Sequence, residues 1–141
     1  MGRILAMDYG RKKIGLAVTD ESQIVITTLP LLLNNTDAWL NLHQLIQQYH
    51  PECIVLGYPS TDTKELSNFQ KEILAFQKKI MTRTGIKTIL QDESYTSQEA
   101  ENIYIEKRGK KTTSKKKRTD KKQKIDSIAA HLLLKSYLEI N

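Results

Sequence analysis

Three acidic residues, drawn from separate parts of this chain, fall where a carboxylate costs free energy. Asp8 ends the run Arg3-Ile4-Leu5-Ala6-Met7-Asp8, whose apolar character reads as a buried strand. Side chains alternate along a strand, so Ile4, Ala6 and Asp8 share one face and Asp8 extends an apolar stripe. A buried carboxylate is unfavourable unless a cation or hydrogen bonds compensate it. Glu93 stands in Gln91-Asp92-Glu93, the acidic end of a second apolar run, Ile86 to Leu90. Asp126 shares one helical face with Ala129, Ala130 and Leu133, at offsets of three, four and seven. Small alanines let such a helix lie close to a sheet.

If folding gathers these acids, each pair about 5 Å apart repels by about 3 kcal/mol at an effective dielectric near 20. A cation must offset that. Oxygen donors with open positions select Mg2+ or Mn2+ over zinc. Two such ions about 4 Å apart hold a phosphodiester, activate water and stabilise the departing 3′ oxygen. Asp8, Glu93 and Asp126 are therefore the candidate metal ligands and catalytic residues. Taken singly, each is equally an ordinary turn, cap or surface acid. His43 and His50 lack metal-ligand spacing, and Cys53, inside Cys53-Ile54-Val55-Leu56, reads as buried filler.

Basic residues supply the complementary charge. Gly10 and Gly15 bracket Arg11, Lys12 and Lys13, where a missing Cβ permits unusual dihedrals or close approach of another group. From Lys107 to Lys124 there are eleven Lys or Arg residues, Lys115, Lys116, Lys117 and Arg118 among them, against the single acid Asp120. That segment carries +10 of a net +6, which leaves the rest of the chain at −4. Such a strip is the electrostatic footprint expected for a nucleic acid, although a solvated lysine-rich loop has the same composition.

The 141 residues suffice for one domain with a proper core, so a single domain over 1–141 is expected, with a basic, flexible loop at about 108–123. No apolar run approaches a membrane span and the start lacks a signal-peptide layout, which points to the cytoplasm. One cysteine excludes an internal disulfide and agrees with a reducing compartment.

The elements that must position these residues follow in order. After the first two strands, Gln23 to Thr28 reads as a third, rich in β-branched residues and ended by Pro30. Asn34 to Asp37 offer caps for a helix with Trp39, Leu42, Ile46 and Tyr49 at helical spacing, stopped by Pro51. Cys53 to Leu56 reads as a central strand, followed by a loop from Gly57 to Asp62. A second helix carries Leu66, Phe69, Ile73, Phe76 and Ile80 and closes at Gly85. After the strand Ile86 to Leu90, Thr96 and Glu99 form a capping box for a helix towards Arg108, and Ile125 begins a last helix to about Ile140. The class is α/β: a five-stranded mixed sheet, three antiparallel strands then two parallel, with helices on both faces. In such sheets, sites form beyond the carboxyl ends of the parallel strands.

Four stretches, in this order, resemble the YqgF family, also called RuvX: Asp8-Tyr9-Gly10 with Ile14 to Asp20, Val55 to Pro59, Asp92-Glu93, and Ile125 to Ala130. Its members are described as pre-16S rRNA nucleases or Holliday junction resolvase-like proteins. The resemblance implies an RNase H-like fold, a metal-dependent phosphodiesterase and a role at the 5′ end of 16S rRNA, with the catalytic acids on Asp8, Glu93 and Asp126. The family pattern has Arg where Lys13 and Ser94 stand, and Gly where Thr63 follows Asp62. Lysine cannot reproduce a bidentate guanidinium clamp on phosphate. The leading expectation is an endonuclease on RNA, pre-16S rRNA or another structured nucleic acid, associated with the ribosome, away from membranes, as a monomer or weak dimer. Arg11, Lys12, Lys13 and the strip would contact phosphates, and Tyr9 or Tyr58 would stack on a base. DNA junction resolution and a non-catalytic RNA-binding assembly factor are the alternatives.

Overall fold

Strand β1 (Ile4–Asp8) is apolar on both sides because it is the middle strand of its sheet, flanked by β2 (Lys13–Thr19) and β4 (Cys53–Tyr58). The computed structural model describes residues 2–59, 65–92 and 128–139. With β3 (Ile26–Leu33) and β5 (Lys87–Asp92), the strand order is β3-β2-β1-β4-β5. β1, β2 and β3 pair antiparallel, and β1, β4 and β5 pair parallel. The expected mixed sheet is the one observed.

Alternation divides the core in two. Leu5, Met7, Leu16, Ile54 and Leu56 face α1 (Ala38–Tyr49) and α2 (Asn68–Thr84), whose Leu42 and Ile73 join the same cluster. Ile4, Ala6, Ala17 and Val55 face a third helix, α3 (128–139), through Ala130, Leu133 and Leu134.

The third strand starts later than expected and runs through Pro30. Ile24 and Val25 stand in the β2–β3 connection, 77% and 57% exposed, because Asp20 turns the chain there: its carboxylate accepts from both of their amides at 2.8 and 3.0 Å. Pro30 is tolerated for two reasons. β3 is an edge strand, and between the pairs Ile14↔Leu32 and Leu16↔Leu29 one residue of β2 opposes two of β3. Proline lacks the ladder donor and is confined to such edges and bulges. The bulge also resets the alternation, so Leu29 and Leu32, three apart, both face inward.

Leu66 lies outside α2, whose N-cap is Ser67: its hydroxyl accepts from the Gln70 amide while the Gln70 side chain accepts from the Ser67 amide. The helix expected from Thr96 to Arg108 lies outside the described residues.

Candidate functional site

The carboxyl ends of β1, β4 and β5 lie along one edge of the sheet. The pairs Met7↔Leu56 and Leu56↔Leu90 define one row, so Asp8, Gly57 and Gln91 form the next. Asp8 is half-buried on the face that carries α3, and its partner across β2 is Gly15, which puts no side chain beside the carboxylate. Two strand spacings, about 10 Å, separate Asp8 from Gln91. Gln91 faces α3 as well, its amide donating to Ser136 Oγ at 3.4 Å.

The turn after Asp8 is closely built. A Cβ on Gly10 would stand 2.5 Å from the Lys13 carbonyl oxygen, so this position requires glycine for close approach. Asn34 clamps the same turn from β3, its side chain donating to Gly10 O at 2.8 Å and its amide to Lys12 O at 2.9 Å. Arg11 reaches α2: its guanidinium pairs with Glu72 at 2.8 Å and lies over the Phe69 ring. Lys12 is exposed and Lys13 half-buried.

Tyr9 is engaged from the opposite face of the sheet, its ring 4.9 Å from Phe76 and 5.9 Å from Phe69, centroid to centroid. Tyr58 packs against the same core cluster. Both tyrosines are half-buried, with part of each ring packed on the core.

Helix α3 is fixed at its other end. Tyr137 donates to the Cys53 sulfur, and with Leu138 it flanks Ile4, Cys53 and Lys87, the first residues of three parallel strands. Burial pushes the Cys53 thiol and the Tyr137 hydroxyl up from their ordinary pKa values. Cys53 is the buried filler expected, at the pole remote from Asp8.

Of the expected site residues, Asp8, Arg11, Lys12 and Lys13 are gathered on and after one strand end. Glu93, Asp126, Lys115, Lys116, Lys117 and Arg118 lie outside the described residues, as do Ser94 and Asp62. Among the described residues no group of three His, Cys, Asp or Glu side chains is placed to hold a metal. The sequence around Asn34 predicts a helix cap. The clamp of Asn34 on a turn 24 residues away left no local signal.

Several proteins are similar to this chain. A "Putative pre-16S rRNA nuclease" of Sulfurihydrogenibium sp. (strain YO3AOP1) is 34% identical over 142 residues, covering 99% of this chain and 91% of that protein. The fowlpox virus resolvase in complex with Holliday junction DNA superposes with a TM-score of 0.60 at 19% identity, over 97% of both chains. Thermus thermophilus RuvC bound to a Holliday junction superposes with a TM-score of 0.55 at 12% identity, over 99% of this chain and 96% of that one. These two carry the RNase H-like architecture expected above. A family model described as "RuvX: Holliday junction resolvase" matches residues 2–140, and the chain belongs to that family.

Proposed function

We propose that this nuclease is a metal-dependent endonuclease that cuts RNA in the manner named for its relatives, at the 5′ end of pre-16S rRNA, with Asp8, Glu93 and Asp126 as its catalytic acids. The observation that carries the reading is that α3 lays its alanine face on the sheet face that Asp8 extends. From Tyr137, over the strands' amino ends, back to Ile128 is nine residues of helix, about 14 Å. From Ile4 to Asp8 is four residues of strand, about 13 Å. The start of α3 is therefore level with Asp8, and Asp126 precedes that start by two residues in the sequence. On β5, Ile89 and Gln91 face α3, and Glu93 follows Gln91 by two residues in the sequence.

The donors fit a hard divalent cation. Asp8 offers carboxylate oxygen, and the cysteine lies at the far end of β4. Asp8, Glu93 and Asp126 would hold Mg2+ or Mn2+, which when bound supplies charge neutralisation at the phosphate and lowers the pKa of water. Gly15 and Gly57, the residues level with Asp8 on the two neighbouring strands, carry no side chain. Lys12 and Lys13, and the basic strip with Lys115, Lys116, Lys117 and Arg118, hold the neighbouring phosphates.

Cleavage of a precursor rRNA fragment with Mn2+ or Mg2+ tests the assignment. Asp8→Asn removes a charged ligand and is expected to lower the rate by at least 10³, about 4 kcal/mol of transition-state stabilisation. Undiminished cutting by that variant refutes it. DNA junction resolution by the same acids is the second reading, favoured by the two resolvase superpositions. Preferential cutting of a four-way DNA junction over precursor rRNA would decide for it.

A further inference from the structure

On α2, Glu72, Lys79 and Arg83 fall on one stripe, at offsets of seven and eleven residues, beside the rings of Phe69 and Phe76. The stripe lines the seam between α2 and α1. Glu72 is occupied by Arg11. The other two are held by an indole: Lys79 Nζ lies 4.7 Å and the Arg83 guanidinium 5.0 Å from the centre of the Trp39 ring. A ring orders a cation without cancelling its charge, whereas a carboxylate would neutralise it. Glu72, the acid on this stripe, is paired with Arg11, and α1 from Ala38 to Tyr49 contains no Asp, Glu, Lys or Arg. Lys79 and Arg83, both exposed, therefore keep their full charge for a partner.

A cleft of about 260 Å³ opens beside these cations. Its floor is the buried pair Leu42 and Ile46, and its rim is Trp39, Leu40, His43 and Arg83. Leu40 is 60% exposed, an apolar side chain at a charged surface. Flat apolar walls next to phosphate-binding cations suit an unstacked base, which a duplex does not offer. The seam is also continuous with the edge that carries Asp8. Arg11 follows Asp8 in the turn, the rings of Phe69, Tyr9, Phe76 and Trp39 contact one another in series, and Glu72 to Arg83 spans about 16 Å of helix.

Resting on the nuclease reading above, we propose that the α1–α2 seam is a second contact surface for single-stranded nucleic acid, with Lys79 and Arg83 on successive phosphates and a base in the cleft beside Trp39. A strand leaving the carboxyl edge past Arg11 runs onto it.

The test is equilibrium binding by the full chain carrying Asp8→Asn, without divalent ions, so that cutting does not interfere. Fluorescence anisotropy would follow a labelled single-stranded RNA and a blunt RNA duplex of the same sequence across a salt series. Adding K79Q and R83Q together is expected to weaken single-strand binding by about tenfold, and to lower the slope of log K against log salt by about 1.4, since each phosphate contact contributes roughly 0.7. Duplex affinity is expected to stay within about twofold. Leu40→Glu, an exposed change that places a carboxylate at the cleft, should weaken the single strand alone. An unchanged slope, or an equal loss on the duplex, overturns the proposal. A parent protein that binds neither RNA in a salt-dependent way overturns the nuclease reading itself.

Discussion

Gly10 shows how narrowly single atoms constrain the turn that follows the proposed catalytic strand. Alanine there needs a carbon 2.5 Å from the Lys13 carbonyl oxygen, and backbone cannot yield as a flexible side chain does. Gly10→Ala should therefore cost about 1–3 kcal/mol in denaturant unfolding. Gly2→Ala meets only the movable Glu52 side chain, at 3.1 Å, and should stay within about 0.5 kcal/mol. Equal effects of the two would remove the close-approach explanation. Asp8 was legible from the sequence, because period-two alternation assigns it to the same face as Ile4 and Ala6 whatever the sheet does around it. The Arg11–Glu72 pair was not, since its partners are 61 residues apart and nothing local ties them together. The ring clamp of Lys79 and Arg83 on Trp39 was hidden for the same reason: each residue alone looks like an ordinary member of its helix.

At the scale of elements, the capping box of α2 was present in the sequence as Ser67-Asn68-Phe69-Gln70, but the apolar Leu66 drew the helix two residues too far. The β2–β3 connection misled in a different way. β-branched Ile24 and Val25 have strand propensity, yet the hydrogen bonds offered by Asp20 turn the chain there, and local side-chain bonding won. The amides of Val25 and Ile24 hold the Asp20 carboxyl below its usual pKa. A depressed folded-state value means that the carboxylate's contribution is complete above the ordinary carboxyl range, near 4, and is lost as pH falls through the lower value. Hydrogen exchange at these two amides should therefore be uniformly protected at neutral pH and lose protection below about pH 4, relative to the amides of β1. Asp20→Asn should abolish that pH dependence, and a variant that keeps it would move the cause elsewhere.

For the whole molecule, the mixed character of the sheet was readable because three close-set strands followed by strand–helix alternation admit few right-handed solutions. Which helix covers which face was readable only in part. The apolar stripe of α2 announced burial, but not that α1 and α2 share one face and leave the other to α3. That second layer is thin and depends on small residues, with Ala130 fully buried in the cluster that holds Ala6 and Ala17. Ala130→Leu should force α3 off the sheet, costing about 1–3 kcal/mol in thermal or denaturant unfolding. Cleavage should fall further than RNA affinity, because α3 packs on the sheet face that carries Asp8, a proposed catalytic acid, while the cations of the α1–α2 seam lie on the other face. Cutting at the parental rate by a destabilised Ala130→Leu protein would separate the layer from the chemistry. The central place of β1 has a consequence for synthesis. Ribosomes release β1 before β4, so the nascent meander can close against β2 and β3 while the remaining flank of β1 stays uncovered until Cys53 to Tyr58 has emerged. During that interval an almost wholly apolar strand presents an open row of amides and carbonyls, the template on which growing chains stick to one another, and chaperone demand should peak there.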